Sequence, residues 1–461
     1  MRSLMKIRWL PVVALVATFG MTGCSDELFD VKNPGRILDA DLNTLKGINA
    51  LVTGMSADYS VGYDNMSFTS AILSDEIVGS GSYFSTGRYR RGLFDSEDSN
   101  GRWADVQRAR WVAEGGLQRM AEIEGFTFSG NALTARAYLF AGLANRWFGE
   151  AFCEVVFSNP YSADFPGPGG EIDEGVALPR TAAFQRAIPA LQQAVTHGSA
   201  SGASDIVTAA HGAMAGAYVG LGQWANAMTE AAQVPTSFVY AAEYSANSGR
   251  EESQIWNETH GRHEISAWGT LAGTYGAGDP RTPWTDCGAA SSDCPSGNGA
   301  DGTTIHYRQE KYPTLDDDIP VVKGTDMRLL EAENALLNND LEGAMAKINE
   351  VRASFGADSL GVDHLGALVA TTIGSITGGD GGGAHPTSMT GWDILDRERH
   401  LTNWLEGRRL WDLHRWNHPH LDGGGVVYFA TVARRASCFP ISDDECQVNE
   451  NIDSTSKCFT S

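Results

Sequence analysis

The sequence predicts a mainly α fold, in which tetratricopeptide-like helical hairpins form a single core, with long irregular loops and little β. Three observations carry that expectation. Apolar residues recur at three- and four-residue steps in several stretches towards both ends of the chain. Two of those stretches alternate small and large residues in the way that lets paired helices cross closely. The 53 glycines fall mostly between the helical stretches. Aromatic residues stand among them, which marks structured loops rather than disorder.

The N-terminus reads as a targeting segment. Arg2, Lys6 and Arg8 precede the apolar stretch WLPVVALVATFG, which is too short to span a bilayer. The sequence MTGC then leads into Cys24 in the manner of a lipobox. We therefore expect a lipoprotein signal peptide at 1–23, a lipid on Cys24 and a tether over 24–45. The competing reading is an ordinary secretory signal with a chance cysteine. Residues 46–461 read as one domain, a helical scaffold with loop-rich insertions at about 60–110 and 240–320.

The formal net charge is −23, and removing residues 1–23 takes away three positive charges and no negative ones, leaving −26. Such a chain repels phosphate backbones, which excludes nucleic acid as a partner. It also repels anionic lipid, so membrane attachment falls to the lipid anchor alone. Beyond Cys24 there are six cysteines, and an exported protein can oxidise them. Six allow fifteen connectivities; only Cys287 with Cys294, in DCGAASSDCPSG, is assigned here, as a local staple.

The helical elements follow in order. In NALTARAYLFAGLANRWFGE, Leu133, Ala137, Phe140, Ala144 and Trp147 make one apolar face, with Gly149 expected as the C-terminal cap. In TAAFQRAIPALQQAV, Phe184, Ile188, Leu191 and Val195 do the same, with Thr181 expected as N-cap and Pro189 as a bend. Tyr218, Gly222, Trp224, Ala227 and Ala231 have the spacing of a tetratricopeptide helix pair, and Ala335, Leu341, Ala344 and Ile348 repeat it loosely.

The run ERHLTNWLEGRRLWDLHRW, residues 398–416, holds seven charged residues, two histidines and three tryptophans. An active site and an ion-paired seam both fit that composition. Leu401, Trp404, Leu405, Leu410, Trp411 and Leu413 face a core at helical spacing, so Glu398, Glu406, Arg409, Asp412 and Arg415 are expected to pair across a bend at Gly407. A glycosidase needs two carboxyls about 5–10 Å apart across an open cleft, and a segment this rich in tryptophan and leucine is core. The histidines of HRWNHPH are read as a loop rather than a metal site, because Pro419 disfavours helical ligand spacing.

The same run resembles the late helix of the SusD/RagB-like nutrient-binding outer-membrane lipoproteins. Glu398, Arg399, Glu406, Gly407, Arg409, Asp412, Leu413, Arg415 and Trp416 fall on that family's E-R-x-x-E-L-x-x-E-G-x-R-x-x-D-L-x-R-W pattern, with Thr402 where a second acid is usual. RAYLFAGLANRWFGEAF, IPVVKGTDM, MRLLEAENALL and CFPISDDECQVNENI resemble further family segments in the right order. Leu329 and Leu330 shift the acids of the third, while Ser442 and Glu450 replace prolines in the last. The resemblance implies a SusD-like fold on the extracellular face of the outer membrane. It implies a SusC-like TonB-dependent transporter as partner, over which the lipoprotein closes as a lid. It also implies an oligosaccharide or peptide ligand that is passed on without turnover, and no cofactor.

The family has no transferable ligand motif, so the binding residues are argued from chemistry. Aromatic rings stack on the C–H faces of sugars, while Asp and Arg hydrogen-bond the hydroxyls. One glycine- and serine-rich segment offers Asp75, Tyr83, Phe84, Arg88, Tyr89 and Trp103; another offers Trp268, Tyr275 and Trp284. The acidic run Asp316–Asp318 and Asp380 lack an EF-hand's alternating ligands, and a solvated loop is the default reading for both. No P-loop, dinucleotide-binding glycine pattern or G-x-S-x-G elbow is present. Two other functions compete: a surface glycoside hydrolase, and a helical-repeat scaffold that binds proteins.

Overall fold

The computed structural model describes residues 39–158, 174–274, 276–356, 370, 372–378, 389–422 and 433–452. Cys24, Tyr275, Asp380 and Cys458 lie outside them.

Helices build the frame. In chain order they are α1 (Ile48–Leu73), the short α2 (Phe84–Arg90) and α3 (Ser96–Glu122). Then come α4 (Ala132–Ala151), α5 (Thr181–Ser201), α6 (Ser204–Gly220) and α7 (Trp224–Ala231). After a long stretch whose helical content is the short segment Gln254–Gly261 follow α8 (Gly324–Leu337), α9 (Leu341–Ser354), α10 (Gly391–Thr402), α11 (Arg409–Arg415) and α12 (Asp443–Val448). Four pairs pack side by side: α1 on α3, α4 on α5, α6 on α7 and α8 on α9. The two sequence-level hairpins are the last two of these. Ala227, Ala231, Ala344 and Ile348 are completely buried at the crossings, as small residues at a close helix contact must be. The main core runs through α1, α3, α4, α5 and α6, and smaller apolar clusters continue it between α6 and α7 and under α8, α9 and α10.

Two expected helix ends move. Gly149 does not cap α4; it lies inside the helix, where an added Cβ would meet the Phe184 ring at 2.8 Å. The glycine is there to let α5 approach. Thr181 is the first helical residue of α5 rather than its cap, and Arg180 precedes it without a capping side chain.

Among the described residues the strands form two-stranded pairings: β1 (Val78–Gly79), β2 (Glu154–Val156), β3 (Ala177–Pro179), β4 (Val239–Ala242), β5 (Ile265–Ser266), β6 (Trp284–Asp286), β7 (Tyr307–Gln309) and β8 (Ile319–Lys323). All four pairs are antiparallel: β1 with β5, β2 with β3, β4 with β8 and β6 with β7. β8 leads directly into α8, as IPVVKGTDM suggested. A disulfide between Cys153 and Cys438 ties the end of α4 to the closing segment, where Cys153 N–H also donates to Phe439 O at 2.9 Å. A second disulfide joins Cys287 to Cys294.

The late run forms the junction of the fold. Its apolar residues are buried, Trp404 and Leu405 completely. At the bend, Leu405 and Gly407 take positive φ of 59° and 67°, a conformation costly for leucine. Glu76 holds it there: its carboxylate accepts from Leu405 N–H at 2.9 Å, and its backbone carbonyl accepts from Trp404 Nε1 at 3.0 Å. The charged residues pair mainly with distant elements, not with one another as the sequence spacing suggested. Glu398 meets Arg281 at 2.6 Å and also Arg352, while Glu406 takes Lys311 and Lys323, both at 2.7 Å. Arg409 meets Asp75 at 2.6 Å and also Asp396, and Arg415 meets Glu333. Only Asp412 keeps within the run, between Arg399 at 2.8 Å and Arg415 at 2.8 Å.

Candidate ligand-binding site

The two aromatic segments, far apart in sequence, are brought into one lobe. β1 pairs with β5, so Val78 faces Ser266 and Gly79 faces Ile265. From β1 the chain turns through Ser80–Ser82 into α2, and buried Glu264 anchors that turn. Its carboxylate accepts from Ser82 N–H and Oγ and from Thr86 Oγ1, each at 3.2 Å, while Ser80 N–H donates to Glu264 O at 2.8 Å. The third segment of the lobe closes underneath, with Asp301 N–H donating to Ser80 O at 2.9 Å.

On this fixed turn stand two exposed rings. Tyr83 is 48 % exposed and Phe84 is 79 % exposed. Arg88, one helical turn on, lies 5.9 Å from the Phe84 ring centre and is held by Asp95 at 2.6 Å and Asp98 at 3.1 Å. A flat apolar face beside a fixed cation, on an anchored turn, suits a ligand that presents both C–H surface and oxygen acceptors.

The other expected ligand residues are placed differently. Trp268 is half-buried, its backbone N–H donating to Ser266 Oγ at 3.1 Å. Trp284 is half-buried and stacks on Tyr307 with ring centres 4.1 Å apart, and its Nε1 donates to Ala272 O at 2.9 Å. These rings brace the lobe with part of each left accessible. Three residues do not line a surface at all. Asp75 is buried and bonded to Arg409 at 2.6 and 2.8 Å. Burial alone would raise its carboxyl, but the Arg409 guanidinium and the imidazoles of His400 and His420 hold it well below the usual carboxylate range. Tyr89 is buried against Phe94, ring centres 5.1 Å apart. Trp103 is buried edge-on to Phe148 and Phe152 at 5.2 Å, because it lies on α3 and not on a loop.

Sequence reasoning missed Glu264 and Tyr307. Nothing local marks Glu264 as an anchor. Tyr307 had a signal in its strand-like neighbourhood, YRQ, which pairs with the strand that carries Trp284.

His420 is a further participant that the sequence left as loop. Its Nδ1 lies 2.6 Å from Asp75 Oδ2 and its Nε2 lies 2.7 Å from Gly378 O. Both partners accept only, so both ring nitrogens donate and the imidazole is cationic. Burial opposes this, but Asp75 prevails and raises the pKa above the ordinary histidine value. His418, 2.9 Å from Asp396, and His420 therefore serve the ion network, while His414 meets Ser437 Oγ at 2.9 Å; among the described residues no three His, Cys, Asp or Glu side chains converge to hold a metal. In the Asp316–Asp318 run, Asp316 accepts from Thr314 Oγ1 at 2.8 Å and Asp318 from Tyr244 N–H at 3.0 Å, as turn carboxylates do.

Residues 309–437 match the model of the SusD family, and that stretch contains the late run together with its lysine partners. Over that stretch the chain is similar to the SusD family. Solved structures carry the same fold over almost the whole length. A SusD-like protein from Bacteroides fragilis NCTC 9343 is 12% identical, covering 93% of this chain and 98% of that chain at a TM-score of 0.60. NanU of B. fragilis is 13% identical, covering 90% and 98% at 0.59. A laminarin-binding SusD-like protein is 16% identical, covering 88% and 98% at 0.54. At such identities the likeness extends to the fold and stops there. No curated protein matches the chain. No helix of the described residues is long and apolar enough to cross a membrane.

Proposed function

We propose that this SusD-like chain binds a nutrient, an oligosaccharide before a peptide, at the outer face of the outer membrane. It delivers the ligand to a SusC-like TonB-dependent transporter as a hinged cover, without turnover. The observation that carries the proposal is the Tyr83–Phe84–Arg88 group. Large rings are left in water on a turn that Glu264 holds rigid, and such exposure is justified by a ligand. Cys24 would supply the lipid attachment about which the cover moves. The relatives' names fit this reading, one of them being described as laminarin-binding. Glu406 and Asp412, the pair a hydrolase would need, are both buried and each held between two cations.

Two measurements test it. The lipidated protein, recovered from native outer membranes, is expected to bring a large barrel protein with it in near-equal amount. Titration calorimetry with neutral oligosaccharides, laminarin fragments included, is expected to show binding without cleavage products. Recovery of the protein alone, or release of shortened glycan, would overturn the proposal.

A further inference from the structure

A cavity of about 520 Å³ opens beside the N-terminal half of α1, within the range of small-ligand pockets, roughly 300–1,000 Å³. It is lined by Ser56 and Ser60 of α1, by Glu243 and Glu251 beyond β4, and by Asp316 and Asp318 of the turn before β8. The lining holds four carboxylates and no Lys, Arg or His. Glu243 has a cationic partner, Arg136 at 3.3 Å, and Asp316 and Asp318 each give one oxygen to the turn, leaving acceptor capacity facing the space. Ala57 and Leu73 lie sixteen residues apart on α1, which at 1.5 Å per residue places the cavity about 24 Å along the helix from the lobe that bears Tyr83.

Ser60 adds an independent observation. It is 3% exposed and lines the cavity. The hydroxyls of Ser67 and Thr69 further along α1 bond to the carbonyls four residues back. The Ser60 hydroxyl makes no such bond and has no partner among the described residues, so a donor and an acceptor are left free on a side chain that lines the space. The acids stand around the rim without converging on a point, so their geometry suits a ligand of several atoms better than a metal ion. Burial raises the Asp318 carboxyl, and Glu243, Asp317 and Asp316 add to that against the Tyr244 N–H. The accumulated negative potential calls for a cation.

We infer that this cavity binds a primary ammonium group carried by a hydroxyl- or amide-bearing ligand, at a site separate from the Tyr83–Phe84 surface. The ammonium donates to Glu251 and Asp318, and the ligand's hydroxyl or amide meets Ser60. An amino sugar and a lysine side chain both present that chemistry. The inference stands independently of the transporter reading.

Calorimetry on the full chain at low salt, with a glucosamine trimer, its N-acetylated counterpart and trilysine, separates the sources. The glucosamine trimer or trilysine is expected to bind, whichever is tighter naming the source, and the N-acetylated trimer is not. Affinity should fall at least tenfold in E251Q/D318N. It should also fall in A57F, which fills the cavity and leaves every charge in place. Binding should persist in Y83A/F84A and in E122Q/E124Q, which removes exposed acids elsewhere. Thermal melting confirms that each variant is folded. Absence of binding by both amines, equal binding of the acetylated trimer, or affinity unchanged in A57F and E251Q/D318N would overturn the inference.

Discussion

Substituting Glu398 by glutamine decides whether the late run is a structural hub or a source of chemistry. Glu398 is fully buried, and Arg281 and Arg352, which share its two oxygens, are each 1% exposed. Glutamine keeps the shape and one acceptor but removes the charge that neutralises both guanidinium groups. Arg281 retains Asp279 at 2.7 Å, which limits the loss on that side. Removing one member of a buried ion pair costs about 3–5 kcal/mol. A domain of roughly 400 residues has an unfolding entropy near 0.84 kcal/mol/K, so the melting midpoint should fall by about 4–6 °C. Differential scanning calorimetry of wild type and E398Q measures this directly. The double variant E398M/R352M leaves Arg281 with Asp279 and exchanges the remaining pair for apolar volume, and it should recover at least half of the loss. A midpoint within about 1 °C of wild type in E398Q would refute the hub reasoning, as would a double variant less stable than the single one.

Other expectations follow from the same geometry. Y83A/F84A should weaken oligosaccharide binding about tenfold or more at an unchanged melting point, because both rings are already in water; calorimetry paired with melting reads both. Replacing Cys153 and Cys438 by serine opens a loop of sequence separation 285, which should cost up to about 5.6 kcal/mol by chain entropy and appear as a lower urea midpoint. Acid should destabilise the protein. Burial depresses the imidazoles of His306, His400 and His414 to about 4, whereas in the unfolded chain they take protons near 6.5. Between those values the unfolded state binds more protons, so stability falls as pH falls, by about 2 kcal/mol for each histidine at pH 5. His420 runs the other way: its contribution is whole below 6.5 and is lost as pH rises through its raised value. Urea titrations at pH 7 and 5, with H400Q for comparison, test the balance, and equal stability at the two values would contradict it.

The helical frame was legible wherever apolar periodicity was strong, as in α4, α5 and the pairs α6/α7 and α8/α9. It failed across the expected loop-rich insertion at about 60–110, where the second half of α1, all of α2 and the first half of α3 are helical. The segment from Phe84 to Trp103 holds three glycines, and its helix signals are polar: Asp95 and Asp98 cap each other's backbone N–H groups, a capping box written with two aspartates. Trp103, Val106, Ala113, Leu117 and Met120 then carry the buried stripe. Reading Trp103 as a loop ring followed from that miss. Asp75 was lost for another reason. A carboxylate beside tyrosines looks the same in sequence whether it meets a sugar hydroxyl or an arginine 334 residues away, and no local pattern encodes which. The same holds for Lys311 and Lys323, whose partner Glu406 comes from a different element altogether.

Those long-range pairs have a direction. Arg281 reaches Glu398 from the loop lobe, and Asp75, three residues before β1, reaches Arg409. Glu333 on α8 reaches Arg415, and Glu150 on α4 reaches Arg408. The late run thus sits between the helical pairs and the lobe that bears Tyr83 and Phe84, with ion pairs on both sides. An apolar junction of equal size would be as stable or more so, because buried ion pairs seldom repay their desolvation. It would not fix register, since apolar side chains slide over one another at little cost. Charged partners with two or three directed bonds each allow one seating only. A lobe that must hold exposed rings in a fixed position against a ligand needs that single seating more than it needs extra stability.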